Sequence, residues 1–286
     1  MKWEVKNLYK WYIKQFHKKI EIIGGIIMAD ENTKLKIMEL REMMKVPTED
    51  ILSDQLKGLP QPPLERNFGG KKTISLTKNF EDVVKNNDFL NLINSRTSRR
   101  KYNEEPLNQY ELAFLLWSTQ GIKSIVGKER KATFRTVPSA GARHPFETYL
   151  FINKVIGLQP GLYHYMAVEH QLEYLGPIEN QAERVSEAFG GQNFFANAPV
   201  GFVWSVIPYR TEWRYSNNAQ KYALVDVGHV CQNLYLACEA IECGACAIGA
   251  YEQPLADKLL GFGTSPSADK ETEFVVYAAA VGKVDR

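Results

Sequence analysis

The chain of 286 residues is short of the marks that announce several common protein classes. It contains no G-x-S-x-G, no G-x-x-x-x-G-K-[ST] and no G-x-G-x-x-G after a strand, so hydrolase, nucleoside-triphosphatase and Rossmann readings lack support. Its five His are scattered without H-x-x-x-H spacing. The longest apolar run near the start, Ile20 to Met28, is interrupted by Glu21 and two Gly, which is too short and too broken for a membrane span. Only four Cys occur, all between Cys231 and Cys246, and no secretory signal precedes them. That distribution does not resemble a secreted disulfide framework, and a cytoplasmic protein is the expectation. A formal charge of +2 argues against a dedicated nucleic-acid binder.

Two features that look chemical have plainer readings. Cys243-Gly244-Ala245-Cys246 is formally C-x-x-C, but a metal site needs two more ligands. The nearest candidates, Cys231 and Cys238, sit seven apart on a strongly apolar helix, where small thiols are ordinary packing residues. No metal is expected, and a redox dithiol is the weaker reading. His229, inside the same helix, reads as a satisfied core histidine.

What the chain does have is a composition 44% hydrophobic and 24% charged, suited to one substantial globular domain with an appendage. Residues 1–27 hold six Lys against two Glu, a surplus of +4 that leaves the rest near −2. Trp3, Leu8, Trp11, Tyr12 and Phe16 among those lysines read as a basic amphipathic helix, able to lie on a membrane or dock on a partner. No acyl signal supports the membrane reading, and Met28 is an alternative natural start. A polar helix is expected over 31–45. Gly58-Leu59-Pro60-Gln61-Pro62-Pro63 reads as a rigid linker, so 1–63 form an extension and 64–286 the main domain.

Within the main domain a helix ends in Ser95-Arg96-Thr97-Ser98-Arg99-Arg100-Lys101-Tyr102. Arg binds phosphate through two parallel hydrogen bonds, and hydroxyls complete such a site. Glu111 to Gly121 is a well-formed helix. Val137-Pro138-Ser139-Ala140-Gly141-Ala142-Arg143-His144-Pro145 is a small-residue loop that leaves backbone N–H groups open, and it feeds the aromatic strand Phe146 to Ile152. Residues 161–165 and 171–175 read as a hairpin, 182–189 as a helix and 199–206 as a buried strand. Ala223 to Ile241 is apolar nearly all round and reads as a central buried helix. Gly244 to Ala250 holds no large polar residue, so its backbone can press flat against a ligand, and 273–282 is a final core strand.

Residues 96–102, the PSAGARHPFE stretch (138–147) and GHVCQNLYLACEAIECGACAIGAY (228–251) together resemble the FMN-dependent nitroreductase family. More narrowly they are similar to its SagB-type dehydrogenases. The likeness covers about 88–286, in the family's order, and leaves 1–87 outside. It implies an α+β, nitroreductase-like fold: a mostly antiparallel central sheet flanked by helices, in an intertwined homodimer with FMN at the interface. By position, Arg96, Ser98 and Arg100 would hold the phosphate and the flavin's polar edge, with Thr97 beside them. Pro138, Ser139, Ala140 and Gly141 would lie against the flavin from the partner subunit, with His144 nearby. Ile248 and Gly249 would set a backbone N–H near N5, and Lys283 or Arg286 would complete the phosphate site.

The sequence departs from the family where relatives place Asn and Gln, since Ala142 and His144 stand there. Where peptide-azoline dehydrogenases of the branch carry Lys-Tyr, it has Arg214-Tyr215, the candidate catalytic pair. Arg does not readily give up a proton, which speaks against azoline aromatisation by that route. The implied function is an oxidoreductase taking hydride from NAD(P)H through flavin N5 to a small electron-poor acceptor, by ping-pong turnover. The alternatives are a SagB-like dehydrogenase of a modified peptide, recruited through 1–87, and a flavin- or metal-binding module without turnover.

Overall fold

A computed structural model describes residues 22–23, 26–27, 31–45, 52–66, 72–129, 131–263 and 272–285. The chain divides into two compact units, Met1–Thr48 and Glu49–Arg286. In the first, β1 (Ile22–Ile23) pairs antiparallel with β2 (Ile26–Ile27), and α1 spans Glu31–Met44. β-Branched Ile at 22, 23, 26 and 27 favours these strands. The aromatic positions Trp3 to Phe16 lie outside the described residues.

In the second unit, β3 (Thr73–Ser75) is followed by α2 (Phe89–Ser95), α3 (Gln109–Gln120), β4 (Ile122–Val126) and β5 (Ala132–Arg135). β6 (Phe146–Ile152), β7 (Gly161–Met166), β8 (Gln171–Gly176), α4 (Gln181–Ala188), α5 (Asn193–Ala196) and β9 (Val200–Val206) come next. The chain closes with α6 (Tyr209–Tyr215), α7 (Ala219–Ala240), β10 (Cys243–Ile248), α8 (Gln253–Leu259) and β11 (Phe274–Lys283). Seven strands form one antiparallel sheet in the order β10-β11-β9-β6-β7-β8-β3.

The middle strands β6 and β9 are buried along their whole length, which explains their largely apolar sequence, with Glu147, Thr148 and Ser205 as buried polar exceptions. Side chains alternate between faces. Phe146, Leu150, Phe202 and Trp204 pack with Leu112, Leu116, Val230 and Leu234 of α3 and α7. Tyr149, Phe151 and Val203 pack with Val185, Phe189, Phe195 and Leu259 around α4, α5 and α8. The sheet is thus covered on both faces.

α7 is the long helix expected from the sequence, but it is not buried all round. Ala223, Val227, Val230 and Leu234 face the sheet, while Leu224, Val225, Gly228, His229 and Gln232 form an exposed stripe at helical spacing. His229 is therefore on the surface rather than in the core. The Pro-rich segment also differs from a free linker. Gln55 N–H donates to the Trp213 carbonyl at 2.7 Å, Trp213 Nε1 donates to Leu59 O at 3.0 Å, and Gln61 Nε2 donates to Lys131 O at 2.8 Å. Residues 52–66 run as a strap across the second unit, Glu49–Arg286.

Candidate active site

Arg96 caps α2, its N–H bonding Leu92 O at 3.0 Å, and the chain then leaves in extended form along β10. Ser98 bridges Ala245 in parallel fashion, and Arg99 N–H donates to Ala245 O at 2.9 Å. Tyr235 of α7 ties the two together: its hydroxyl accepts from Ala247 N–H at 2.7 Å and lies 3.0 Å from Ser98 Oγ. The Arg96 guanidinium stands 5.4 Å from the Tyr235 ring centre, and that of Arg100 stands 5.8 Å from Phe194. A cavity of about 320 Å³ opens here, lined by Thr97, Ser98, Arg100 and Lys101 and closed by Val284 and Asp285. Gly244 permits the close approach, since a Cβ there would meet Arg99 at 2.9 Å and Val284 at 2.8 Å.

The loop from Pro138 forms a second cluster. Ala140 N–H donates to Asp226 Oδ2 of α7 at 3.0 Å, and His144 N–H donates to Ser139 Oγ at 2.9 Å. Burial raises the Asp226 pKa, and the bonds from Ser139 and Ala140 partly offset the rise. Gly141, Ala142 and His144 all have positive φ, so the loop is a tight knot. Gly141 (φ +56°) also leaves room for α6: a Cβ there would sit 2.6 Å from Tyr215 Oη and 2.8 Å from Arg214 Nε. Arg214 and Tyr215 are thereby brought against the loop.

His144 itself is turned inward and is only 3% exposed. Burial first, and the Arg135 charge second, push its pKa down to about 3. Between pH 6.5 and about 3 the unfolded chain takes up a proton that folded His144 refuses, so stability falls with pH by about 1.4 kcal/mol per unit. Above pH 6.5 this group contributes no slope. Urea denaturation of His144→Gln at pH 6, 5 and 4 should show a stability slope smaller than wild type by about one proton. Equal slopes would contradict the assignment.

The remaining sequence candidates are distributed as follows. Ile248 ends β10 buried, with Gly249 exposed just beyond it, and Pro138 is exposed. Lys283 is engaged by Glu105 and, at 3.1 Å, by Glu111, and does not line the 320 Å³ cavity. Arg286 lies outside the described residues. The four cysteines are buried, and burial pushes Cys231 up to about 12 and raises Cys238 and Cys246 as well, opposite to what a reactive thiolate needs.

Sequence reasoning missed Asp226, Tyr235 and Trp213, and marked Arg143 only as a cationic member of the 137–145 loop. For the first two the only signal is a polar residue set in an apolar helix. Asp226 and Tyr235, nine residues apart on α7, separate the clusters by about 14 Å along the helix axis at 1.5 Å per residue. One chain therefore carries two half-clusters on the two ends of one helix.

This architecture is that of the nitroreductases. A crystal structure of a nitroreductase-family protein from Anabaena variabilis superposes with a TM-score of 0.64 at 20% identity, over 85% of this chain and 45% of that one. The sequence model of the Nitroreductase family matches residues 93–283. MJ1384, a nitroreductase homologue of Methanocaldococcus jannaschii, is 33% identical over 156 residues, which are 54% of this chain and 75% of that protein. The trifolitoxin-processing protein TfxB of Rhizobium leguminosarum bv. trifolii is 28% identical over 111 residues, 37% of this chain and 30% of TfxB. The chain belongs to the nitroreductase family. It is a nitroreductase-like oxidoreductase, and the α+β fold implied by the sequence resemblance is the fold observed. It spans less than half the length of the Anabaena chain and of TfxB. Among the described residues no helix is long and apolar enough to cross a membrane.

Proposed function

We propose that the protein is an FMN-dependent oxidoreductase that takes hydride from NAD(P)H and passes it to a small electron-poor acceptor. The observation that carries this reading is the 320 Å³ cavity walled by Arg100, Lys101, Thr97 and Ser98, with Arg96 beside it, on a backbone that Gly244 keeps free of side chain. The donor set fits a dianionic phosphate: clustered guanidinium groups and hydroxyls, with β10 backbone alongside for a flat ring. Arg96, Ser98 and Arg100 would hold the phosphate end, with Thr97. Ile248 and Gly249 would border the ring. Lys283 contributes less than the resemblance implied, because two carboxylates already engage it.

When bound, the flavin supplies two-electron acceptance and return at N5, so donor and acceptor occupy one face in turn. The chain's own part is to bind, orient and exclude water. Asp226 holds Ala140 N–H and so fixes the Pro138–Gly141 loop. Tyr215 and Arg214 close on Gly141 and offer an O–H and a cation where the acceptor would enter. Pairing of two copies through the exposed α7 stripe would set each Asp226 end beside the partner's Tyr235 end, joining the half-clusters into two whole sites. The exposed Leu224 and Val225, each about half accessible, support this homodimer.

Initial rates with NADH or NADPH and a nitroaromatic or quinone acceptor test the reading: parallel double-reciprocal lines are expected, and intersecting lines or no turnover would overturn it. Gly141→Val tests the loop. The left-handed φ costs about 1–2 kcal/mol with a Cβ present, and the side chain must displace Tyr215 or Arg214. Acceptor reduction should fall about 100-fold with flavin still bound. A variant with wild-type turnover would place the acceptor elsewhere. Similarity to TfxB favours a second reading, in which a modified peptide is the hydride donor and is itself oxidised as the flavin is reduced. Oxidation of an azoline-bearing peptide, with no NAD(P)H-dependent acceptor reduction, would favour it.

A further inference from the structure

Two guanidinium groups bracket Gly141. Arg143 Nε donates to the Gly141 carbonyl at 3.1 Å, and Arg143 Nη2 donates to Lys131 O at 3.2 Å. From the other side Arg214 Cδ and Nε reach 2.8 Å from the position a Cβ on Gly141 would take. Trp213 braces the arrangement, with the Arg143 guanidinium 5.4 Å from its ring centre and its own Nε1 fixed by Leu59 O. Neither arginine meets a carboxylate among the described residues, and Arg214 makes no hydrogen bond among them.

Two like charges held close to one another repel, and an anion between them relieves the repulsion. Burial, and then the Arg214 charge, both disfavour the protonated form of Arg143. Each side chain still has donors to give. Arg143 uses Nε and one N–H of Nη2, leaving Nη1 free, and the whole Arg214 fork is uncommitted. The Tyr215 hydroxyl, 2.6 Å from the same Cβ position, adds a neutral donor. Lys131, whose carbonyl Arg143 binds, also lines a cavity of about 380 Å³ with Pro62, Pro63 and Leu64 of the strap and with Glu65 and Glu129.

We propose that Arg143 and Arg214 form an oxyanion clamp, receiving a carboxylate or phosphate group carried by one of the two substrates. The clamp makes the substrate class anionic. It rests on the reading of Gly141 and Tyr215 as the reacting corner. The oxyanion belongs either to the acceptor or to the ribose phosphate of the nucleotide donor.

Isothermal titration calorimetry on the full-length protein separates these sources without turnover. The paired titrants are 4-nitrobenzoate against 4-nitrobenzyl alcohol, and NADP⁺ against NAD⁺. The anionic member of one pair should bind about tenfold tighter or more, as charge-assisted hydrogen bonds to a guanidinium require. A preference within the first pair assigns the oxyanion to the acceptor, and one within the second assigns it to the nucleotide. Arg214→Gln should remove most of that preference and leave the alcohol or NAD⁺ within about twofold. Arg214 is exposed and holds no structural hydrogen bond among the described residues, so this variant should fold. Arg143→Lys, which keeps charge but loses the fork, should weaken the anion several-fold. Equal binding within both pairs, or a preference intact in both variants, would overturn the clamp. Absence of flavin would count against the cofactor reading and leave the calorimetric result standing.

Discussion

The Arg96→Ala/Arg100→Ala double variant is expected to be purified without flavin, where wild type carries about one FMN per chain. A phosphate dianion held by guanidinium forks loses about 1.5–3 kcal/mol for each fork removed, so the double change should weaken FMN binding by roughly 10²–10⁴-fold. Lys101 stays in the cavity wall, but as a point charge without the guanidinium fork. Lys283 is held by Glu105 and Glu111, and Lys283→Ala should therefore change flavin content far less. The loop's framework survives the double change, because Arg99 N–H to Ala245 O and Ser98 to Tyr235 do not use the removed side chains. Fluorescence titration with FMN checks this, and a double variant that keeps wild-type affinity would remove the phosphate assignment.

Glu147→Ala should be the most damaging single change to stability. Glu147 is buried on β6 and accepts from Arg66 N–H at 2.6 Å, from His164 Nε2 at 2.8 Å and from Arg210 Nη2. Burial alone would raise its pKa, but the Arg210 charge and His164 outweigh that and hold it at about 2. Removing the carboxylate leaves the Arg210 cation buried without its partner, at a cost of about 3–5 kcal/mol. Arg210 lies on α6, the helix that delivers Arg214 and Tyr215, so any folded fraction should also lose acceptor reduction.

The pH dependence has a definite sign. The folded pKa lies below the unfolded value near 4.3, so the carboxylate's stabilisation is complete above that value and is lost as pH falls toward 2. Urea midpoints of the two proteins at pH 7 and near pH 3 should therefore converge in acid. A loss under about 1 kcal/mol at pH 7 would show that the network is dispensable.

The parts of this molecule legible in its sequence are those whose partners are close along the chain. β6 and β9 announce themselves as apolar runs, because a strand covered on both faces has no polar side to show. The Arg96–Lys101 loop is legible because its basic and hydroxyl groups are consecutive. The surface stripe of α7 is not, since hydropathy records what Leu224 and Val225 prefer and not whether this chain covers them. The strap at 52–66 reads as a linker because Pro offers no N–H donor. It is fastened by Trp213, 154 residues from Leu59, and no local pattern encodes that. Asp226 is likewise defined by a loop 86 residues away, and Arg143 acquires its meaning only when α6 arrives beside Gly141.

The most direct test is the visible absorption spectrum of the purified full-length protein, followed by heat release and chromatography of whatever is bound. Flavin bands with about one FMN released per chain are the expected result. A colourless protein that takes up no added FMN would contradict the cofactor site at Arg96–Arg100, and with it the proposed reaction.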